Sequence, residues 1–440
     1  MATFSILTLG CRANQSDSEL LGEILKQHGF RQVAVNEPAD LGIVNSCTVT
    51  AEADRKAGQM VRRLSKLCRF VMATGCGAAD KGGLITKKML AENVIVLPPG
   101  QREKIMDYLP FAVMELKVGH SSELENELKE TVSFVQAREE SVQHRSRALL
   151  KVQEGCNHMC TFCIVPMVRG PLVSFTAKEL IPKVHKLAEE GYREVVLTGT
   201  HLALWGRDSY SKKQAKVEGK SEQNFADLLE DLIRNSQGVR FRISSIEPMS
   251  FPEHILDLMV AYPDRLCPHL HLVIQHASDK ILQAMHRDYT LAEYDNLAEK
   301  FLTKVPGACL TTDVLVGFPG ETEEDVKILT DYLKRRKFYH LHVFPYSKRQ
   351  GTVAAKLDNQ VPEQVKKERV RRIIELGKET AQEVYCSFID TIRPVLAERL
   401  SDREGFLTGT ADNFLTVEFP GSVSDIGKIM PVEIRRKNEL

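Results

Sequence analysis

Three closely spaced cysteines are the residues of this chain best suited to do chemistry. Cys156, Cys160 and Cys163 have the spacing C-x3-C-x2-C and directly follow a predicted strand. Three thiolates can bind three irons of a cubane iron–sulfur cluster and leave the fourth iron open. An open iron can bind the amino and carboxylate groups of S-adenosylmethionine, whose sulfonium one electron then cleaves. The alternative is a closed zinc site in which His158 is the fourth ligand.

Three further cysteines each follow a different predicted strand nearer the amino terminus. These are Cys11, Cys47 and Cys76. Because the carboxyl ends of neighbouring parallel strands lie side by side, we expect the three thiols to meet at one edge of a sheet. They would then form a second metal site, the alternative being three buried small apolar side chains. Cys68, Cys267, Cys309 and Cys386 belong to no motif, and we expect them to be structural.

Alternating strand and helix patterns must position these cysteines. The first ~110 residues predict a parallel α/β domain, and six further strands predict a partial (β/α)6 barrel. The barrel strands are expected at Ala148–Val152, Glu194–Leu197, Val239–Ile243, Leu270–Ile274, Thr311–Val316 and His340–Phe344. Residues 206–224 read as a polar loop and Glu363–Tyr385 as a long helix, before short strands typical of a small antiparallel β-barrel. The predicted domains are 1–115, a linker over 116–141, 142–375 and 376–440.

Composition adds constraints on location and partners. The 440 residues carry a formal net charge of zero, so any nucleic-acid surface must be a local basic patch. No apolar run reaches the ~18 residues of a spanning helix, and the first residues do not form a secretory signal. We therefore expect a cytoplasmic protein without membrane association, in which the thiols are reduced and some bind metal.

Several segments resemble a known enzyme family. The Cys156 loop resembles the signature of the radical S-adenosylmethionine (SAM) superfamily. The segments Leu9–Gln15, Asn45–Val49 and Ser244–Pro248 extend the resemblance to the methylthiotransferases, and the last small barrel resembles a TRAM domain, which binds RNA. The family inserts a methylthio group by radical SAM chemistry with two 4Fe-4S clusters, which the two cysteine sets would hold.

The segments Leu7–Cys11, Ser244–Pro248 and His342–Ser347 most resemble the branch that acts on carbon 2 of N6-threonylcarbamoyladenosine beside the tRNA anticodon. Isopentenyladenosine in tRNA is an alternative substrate. A ribosomal protein is another, because Gln275-His276-Ala277-Ser278 resembles the branch that modifies one.

The resemblance, together with positions at predicted strand ends, also implies contact residues. Expected contacts of SAM are Phe162, Thr198, Gly199, Ser245, Glu247, Gln275, Asp313, Gly317 and Phe344. Expected contacts of RNA are Arg393, Arg399, Arg435, Arg436 and Lys437. Beyond the cluster ligands no catalytic residue is predicted, and the implied partners are tRNA and an electron donor such as a flavodoxin or ferredoxin. Two other classes stay open: a radical enzyme whose first-domain cluster only transfers electrons, and a non-catalytic RNA-binding metalloprotein.

Overall fold

The structure is a computed structural model that describes residues 1–79, 92–110, 113, 146–219 and 221–436. Its contacts divide the chain into two compact units. The first comprises residues 1–145 together with 167–169, and the second comprises 146–166 together with 170–440. The predicted linker at 116–141 lies outside the described residues.

The first unit is built on a parallel sheet with the strand order β2-β1-β3-β4-β5. The strands are β1 (Thr3–Thr8), β2 (Arg31–Gln32), β3 (Ala39–Ser46), β4 (Cys68–Gly75) and β5 (Val94–Val96), and the helices are α1 (Arg12–Gln27) and α2 (Ala51–Leu67). Short 3-10 segments follow at Cys76–Ala78 and Pro99–Tyr108. The predicted parallel α/β domain is confirmed. Because β1, β3 and β4 are adjacent and parallel, their carboxyl ends share one edge of the sheet.

The second unit contains the predicted partial barrel. Its parallel strands are β6 (Ala148–Lys151), β9 (Glu194–Thr198), β10 (Arg240–Ile243), β12 (His269–Leu272), β13 (Cys309–Val316) and β14 (His340–Pro345). Short strands β7 (Gln153–Glu154) and β8 (Val173–Ser174) form an antiparallel pair, and β11 (Ser245–Ile246) lies beside β12. The barrel strands occur in two sheets, β10-β9-β6 and β11-β12-β13-β14, which the parallel bridge between Phe241 and Leu266 connects. All six predicted barrel strands are thus confirmed.

Helices alternate with these strands along the chain. They are α3 (Val165–Arg169, which the first unit shares), α4 (Ala177–Glu189), α5 (Ser209–Glu218), α6 (Phe225–Arg234), α7 (His254–Ala261), α8 (Asp279–Ala284), α9 (Leu291–Lys304) and α10 (Glu323–Arg336). Local sequence fixes where several of them begin. Thr176, Asn224, Thr290 and Thr322 each form a capping box, in which the side chain satisfies an otherwise unpaired backbone N–H.

One expectation about the barrel is wrong. Residues 206–224 were expected to be a polar loop, but they include α5. The reason is capping, not hydrophobic periodicity: the Asp208 carboxylate accepts from the Ser211 N–H at 2.9 Å, and Gly219 ends the helix with a left-handed φ of 64°. A short helix with few apolar residues gives little periodic signal in the sequence.

The chain ends with a long helix, α11 (Glu363–Cys386), and an antiparallel sheet ordered β17-β16-β15-β18. Its strands are β15 (Ile392–Leu400), β16 (Phe406–Ala411), β17 (Thr416–Pro420) and β18 (Ile429–Glu433). This half-barrel matches the predicted TRAM-like fold class. Buried Arg242 joins it to the barrel, because its guanidinium donates to the carbonyls of Ala411 and Asp412 at 2.9 Å each. Among the described helices, none combines the length and the apolar character that crossing a membrane requires.

Candidate functional site

The first cysteine set lies on a loop between β7 and α3, in the second unit. Gly155 lets this loop turn: its φ is +71°, and a Cβ there would lie 1.8 Å from the Pro171 carbonyl oxygen. Thr161 fixes the loop to the end of α8, because its N–H donates to Met285 O (3.0 Å) and its hydroxyl to Ala284 O (2.8 Å). The sequence predicts none of these supports, which join segments far apart in the chain.

Backbone N–H groups point at the sulfurs of this loop. The His158 N–H donates to Cys156 Sγ at 3.3 Å, and the Val165 N–H donates to Cys163 Sγ at 3.4 Å. Burial raises the pKa of Cys156 to about 11 and that of Cys163 to about 12. A thiolate therefore needs positive charge here, and amide donors to sulfur are a recurring feature of cluster sites. The donor set fits an iron–sulfur cluster.

Arg287 supplies one such charge and was not predicted. Its guanidinium lies 3.6 Å from Cys160 Sγ and forms an ion pair with the Glu247 carboxylate. The Arg287 side chain is only 3% exposed and lies over the ring of Tyr289. The Tyr289 hydroxyl donates to Ile274 O at 2.6 Å. Glu247 follows β11 and Arg287 follows α8, so the ion pair between them forms only when the barrel is folded. No local sequence pattern predicts it.

Gln153 connects the cysteine loop to the end of β9. Its side-chain oxygen accepts from the N–H groups of Thr200 (2.7 Å) and His201 (2.8 Å), while its amide donates to Gly155 O (2.6 Å). His201 is only 4% exposed, and within the described part of the chain neither ring nitrogen has a hydrogen-bond partner. Burial lowers the pKa of His201 to about 4, so its ring is neutral at physiological pH.

Most of the predicted SAM contacts lie at or near the carboxyl ends of barrel strands, whereas Phe162 lies on the cysteine loop and Asp313 lies within β13. Gln275 has a φ of 60°, unusual for a residue other than glycine, and its N–H donates to Asp313 O at 3.0 Å. Gly317 approaches Lys366 so closely that a Cβ would lie 2.4 Å from Lys366 Cγ. The remaining residues are Thr198 at the end of β9, Gly199 after it, Ser245 and Glu247 around β11, Phe162 beside an apolar cluster, and Phe344 on β14, which is 41% exposed. Their contact with SAM stays a prediction.

The second cysteine set meets as expected, in the first unit. Cys11 follows β1, Cys47 follows β3 and Cys76 follows β4. The Asn14 side chain lies among them, with its Oδ1 3.6 Å from Cys11 Sγ and 4.0 Å from Cys76 Sγ. A Cβ on Gly10 would lie 2.7 Å from Cys47 Cβ, so glycine permits the close approach.

Charge and burial govern these thiols as well. Burial raises the pKa of Cys47 to about 12, and the neighbouring Cys76 and Cys11 add to the rise. Arg169, which belongs to the same compact unit, donates from Nε to Cys76 Sγ at 3.3 Å and from Nη2 to Asp17 Oδ2 at 3.1 Å. Asn14 and Arg169 were not predicted, although both are polar residues close to a cysteine motif.

The spacing of the sulfurs argues against the zinc alternative. Among the described residues, one group of three histidine, cysteine or carboxylate side chains has its ligand atoms within 4.8 Å of one another, and it contains no cysteine. Ligands of a tetrahedral zinc–thiolate site lie about 3.8 Å apart, since the Zn–S bond is about 2.3 Å. Neither cysteine set, as the structure describes it, has three sulfurs within 4.8 Å of one another.

The predicted RNA contacts differ in availability. Arg393 is mostly buried and forms a bidentate pair with Asp412 at 2.9 and 2.8 Å. Arg399, Arg435 and Arg436 are exposed, Arg435 beside Glu433, and Lys437 lies outside the described residues. Phe414 stacks on His269 with ring centroids 4.3 Å apart.

Two basic side chains of the helix α11 are buried, whereas Lys367, Arg371 and Arg372 on the same helix are exposed. Lys366 is buried against the Tyr346 ring, and buried Arg369 pairs with Glu321 at 2.7 Å. Its inner basic side chains hold the helix against the barrel, so they are unavailable to RNA.

Comparison with known proteins identifies the family. The radical SAM superfamily model matches residues 150–333, and the model of the uncharacterized protein family UPF0004 matches residues 3–96. The chain is 36% identical to the threonylcarbamoyladenosine tRNA methylthiotransferase MtaB of Bacillus subtilis, over 99% of this chain and 94% of that protein. The chain belongs to the radical SAM methylthiotransferase family. As a radical SAM methylthiotransferase it is an enzyme that uses SAM and a 4Fe-4S cluster.

Relatives whose names give another substrate are nearly as similar to this chain as MtaB is. The tRNA-2-methylthio-N(6)-dimethylallyladenosine synthase of Carboxydothermus hydrogenoformans is 34% identical over 98% of this chain and 96% of that protein. Among solved structures, the radical SAM methyltransferase TsrM of Kitasatospora setae matches with a TM-score of 0.51. It covers 81% of this chain and 74% of its own at 13% identity, which shows the shared fold alone.

Proposed function

We propose that this chain inserts a methylthio group at carbon 2 of N6-threonylcarbamoyladenosine next to the tRNA anticodon. The observation that carries the proposal is the 36% identity, over nearly the whole of both chains, to an enzyme named for that reaction. A second MtaB, from Aquifex aeolicus, is also 36% identical over 86% of this chain and 88% of that protein. Both cysteine sets lie within the residue ranges that the two family models match, which suits a reaction that needs two clusters.

Cys156, Cys160 and Cys163 would hold the cluster that binds SAM. When bound, the cluster and SAM together supply a 5′-deoxyadenosyl radical, which can abstract a hydrogen atom from the adenine. The protein's own part is placement and charge. Arg287 places a buried positive charge beside Cys160 and stabilises the thiolate, while the His158 and Val165 N–H groups orient the other two sulfurs.

Cys11, Cys47 and Cys76 would hold the second cluster, at which the inserted sulfur is carried. The Arg169 guanidinium provides positive charge near Cys76, and the Asn14 amide fixes the loops because it donates to the carbonyls of Leu9 (3.1 Å) and Ser46 (2.9 Å). These contacts make the site rigid before any cluster is bound.

The substrate alternatives differ in support. Isopentenyladenosine is the second candidate, because dimethylallyladenosine enzymes match at 31–34% identity. A ribosomal protein is less favoured, since His276, which prompted that idea, is fully buried. Its Nδ1 accepts from the Ser278 N–H at 2.9 Å, so the residue shapes a loop and does not face a substrate.

Nucleoside analysis tests the proposal. We would compare tRNA nucleosides by mass spectrometry from cells with and without the gene. Loss of the methylthio form of threonylcarbamoyladenosine, with its precursor accumulating, is expected. Loss of the methylthio form of isopentenyladenosine would assign the second candidate instead, and an unchanged profile would contradict a tRNA substrate.

Complementation with cysteine variants separates the roles of the two sites. Cys156→Ala should abolish both methylthiolation and formation of 5′-deoxyadenosine, which would also exclude a non-catalytic RNA-binding protein. Cys11→Ala should abolish methylthiolation while 5′-deoxyadenosine still forms with reductant and SAM. If Cys11→Ala merely slowed methylthiolation, its cluster would transfer electrons only. Cys386→Ala, at an exposed cysteine outside both sets, is the matched control.

A further inference from the structure

A polar cluster lies on one face of the barrel strands, apart from the cysteine residues. Leu270, Leu272 and Val314 belong to the apolar core under the helices. Because side chains alternate along a strand, His271 and Asp313 lie on the opposite face. His342 is the direct register partner of Asp313 on the neighbouring strand, so β12, β13 and β14 each contribute one side chain.

The three side chains converge on one point. His271 Nε2 is 3.0 Å and His342 Nδ1 is 3.3 Å from the same oxygen, Asp313 Oδ1. One ligand atom from each side chain lies within 4.8 Å of the other two, a property that this group alone has among the described residues. Metal–ligand bonds of about 2.0–2.2 Å place neighbouring ligand atoms about 2.9–3.4 Å apart in octahedral and tetrahedral sites. The two distances to Asp313 fall in that interval.

The surroundings orient the group as outer-shell residues orient metal ligands. His271 Nδ1 forms a hydrogen bond with Thr311 Oγ1 at 2.8 Å, and Thr311 Oγ1 forms another with His269 Nε2 at 2.9 Å. A hydrogen bond at one ring nitrogen fixes the orientation of an imidazole whose other nitrogen binds a metal. Thr311 therefore aims the His271 Nε2 atom at Asp313.

Charge and access also favour a cation. The group contains one acidic side chain, Asp313, placed directly beside two imidazole rings. His342 is 53% exposed and lies on β14, the edge strand of its sheet, so an ion can reach the group from solvent.

We propose that His271, Asp313 and His342 form a binding site for a divalent transition-metal ion of the zinc or iron(II) class. Two imidazole nitrogens and one carboxylate oxygen are a donor set that such ions favour. Three protein ligands leave at least one coordination position open to a nitrogen or oxygen atom of another molecule. None of its three ligands belongs to either cysteine set, and Asp313 is also one of the predicted SAM contacts.

Zinc binding to the cluster-loaded enzyme tests this site. We would add Zn²⁺ anaerobically to protein with filled clusters, remove the excess by gel filtration, and measure zinc and iron together. One zinc per chain without loss of iron is expected. X-ray absorption at the zinc edge should then show nitrogen and oxygen ligands at about 2.0–2.2 Å and no sulfur at about 2.3 Å, which separates this site from the cysteines.

Variants assign the ligands. Asp313→Asn and His342→Ala should weaken Zn²⁺ binding more than about 100-fold, because loss of a direct ligand exceeds the 10–100-fold effect of outer-shell residues. Thr311→Val should weaken it about 10-fold. His185→Ala, at an exposed histidine whose Nε2 is hydrogen-bonded to Asn235 O at 2.7 Å, should leave binding unchanged. The proposal would be overturned by sulfur ligands in the absorption spectrum, by the absence of bound zinc, or by undiminished zinc in Asp313→Asn.

Discussion

Glu194 is the acceptor on which two buried arginines depend, and its charge should be needed for stability. Its carboxylate is fully buried, Arg242 is equally buried, and Arg240 is 5% exposed. Arg242 donates to both carboxylate oxygens at 2.7 and 3.0 Å, and Arg240 Nε donates at 2.8 Å. Glu194→Gln keeps the side-chain size but leaves two buried guanidinium groups without a counter-charge.

The expected cost follows from burial. Breaking a buried ion pair by removing one partner costs about 3–5 kcal/mol, because the remaining charge cannot be solvated. Folded domains are stable by about 5–15 kcal/mol, so the variant should lose a large part of its stability. For a unit of this size the loss corresponds to a fall in Tm of about 5–8 °C. Both arginines also donate to carbonyls of the carboxyl-terminal sheet, so that sheet should loosen first.

Urea unfolding measures the loss, with fluorescence of Trp205 as the probe. Trp205 is the single tryptophan of the chain, is 5% exposed and lies in the apolar core of the same unit. Circular dichroism serves as a second probe of the same transition. The matched control is Glu52→Gln, which breaks an exposed pair with Arg55 on one helix and should cost less than about 0.5 kcal/mol.

The reasoning would be refuted by a Glu194→Gln protein whose unfolding free energy lies within about 0.5 kcal/mol of the wild type. That result would mean that water or the carbonyl groups compensate the two arginines. A loss confined to the carboxyl-terminal sheet, seen as a second transition, would still support the argument, because the arginines reach that sheet.

Two other predictions concern the cluster loop and pH. Gly155→Ala should reduce the iron content of reconstituted protein to about half, because the added Cβ would overlap Pro171 O and displace one of the two ligand sets. Gly191→Ala is the control and should retain full iron, since Gly191 has a similar left-handed φ but no atom within 4 Å of the added Cβ. Burial lowers the pKa of His276 to about 4, whereas the pKa of histidine in the unfolded chain is about 6.5. Between these two pKa values the unfolded chain binds more protons than the folded chain, so the free energy of unfolding falls as the pH decreases. Urea unfolding at pH 7 and pH 5 should differ by about 2 kcal/mol from this residue, and His276→Gln should reduce the difference; an unaltered pH dependence in the variant would exclude the assignment.

Sequence periodicity and cysteine spacing predicted much of the fold and the site. The apolar strands repeat with intervening helices, so the parallel sheet and the partial barrel followed directly from the pattern. Cys11, Cys47 and Cys76 each follow a strand, and parallel pairing alone brings such positions to one edge. The polar helix α5 was missed because its ends are fixed by Asp208 and Gly219 and not by an apolar face.

The sequence by itself thus determined the order of the elements, the two cysteine sets and the family resemblance. Tertiary structure decided which polar groups surround them. Arg287 reaches Cys160 across more than a hundred residues of chain, and Lys366 and Arg369 of α11 are buried while Lys367, Arg371 and Arg372 on the same helix are exposed. His271, Asp313 and His342 converge only because three strands pair in one register. Side-chain contacts between distant segments depend on that register and on burial, which local residue patterns do not encode.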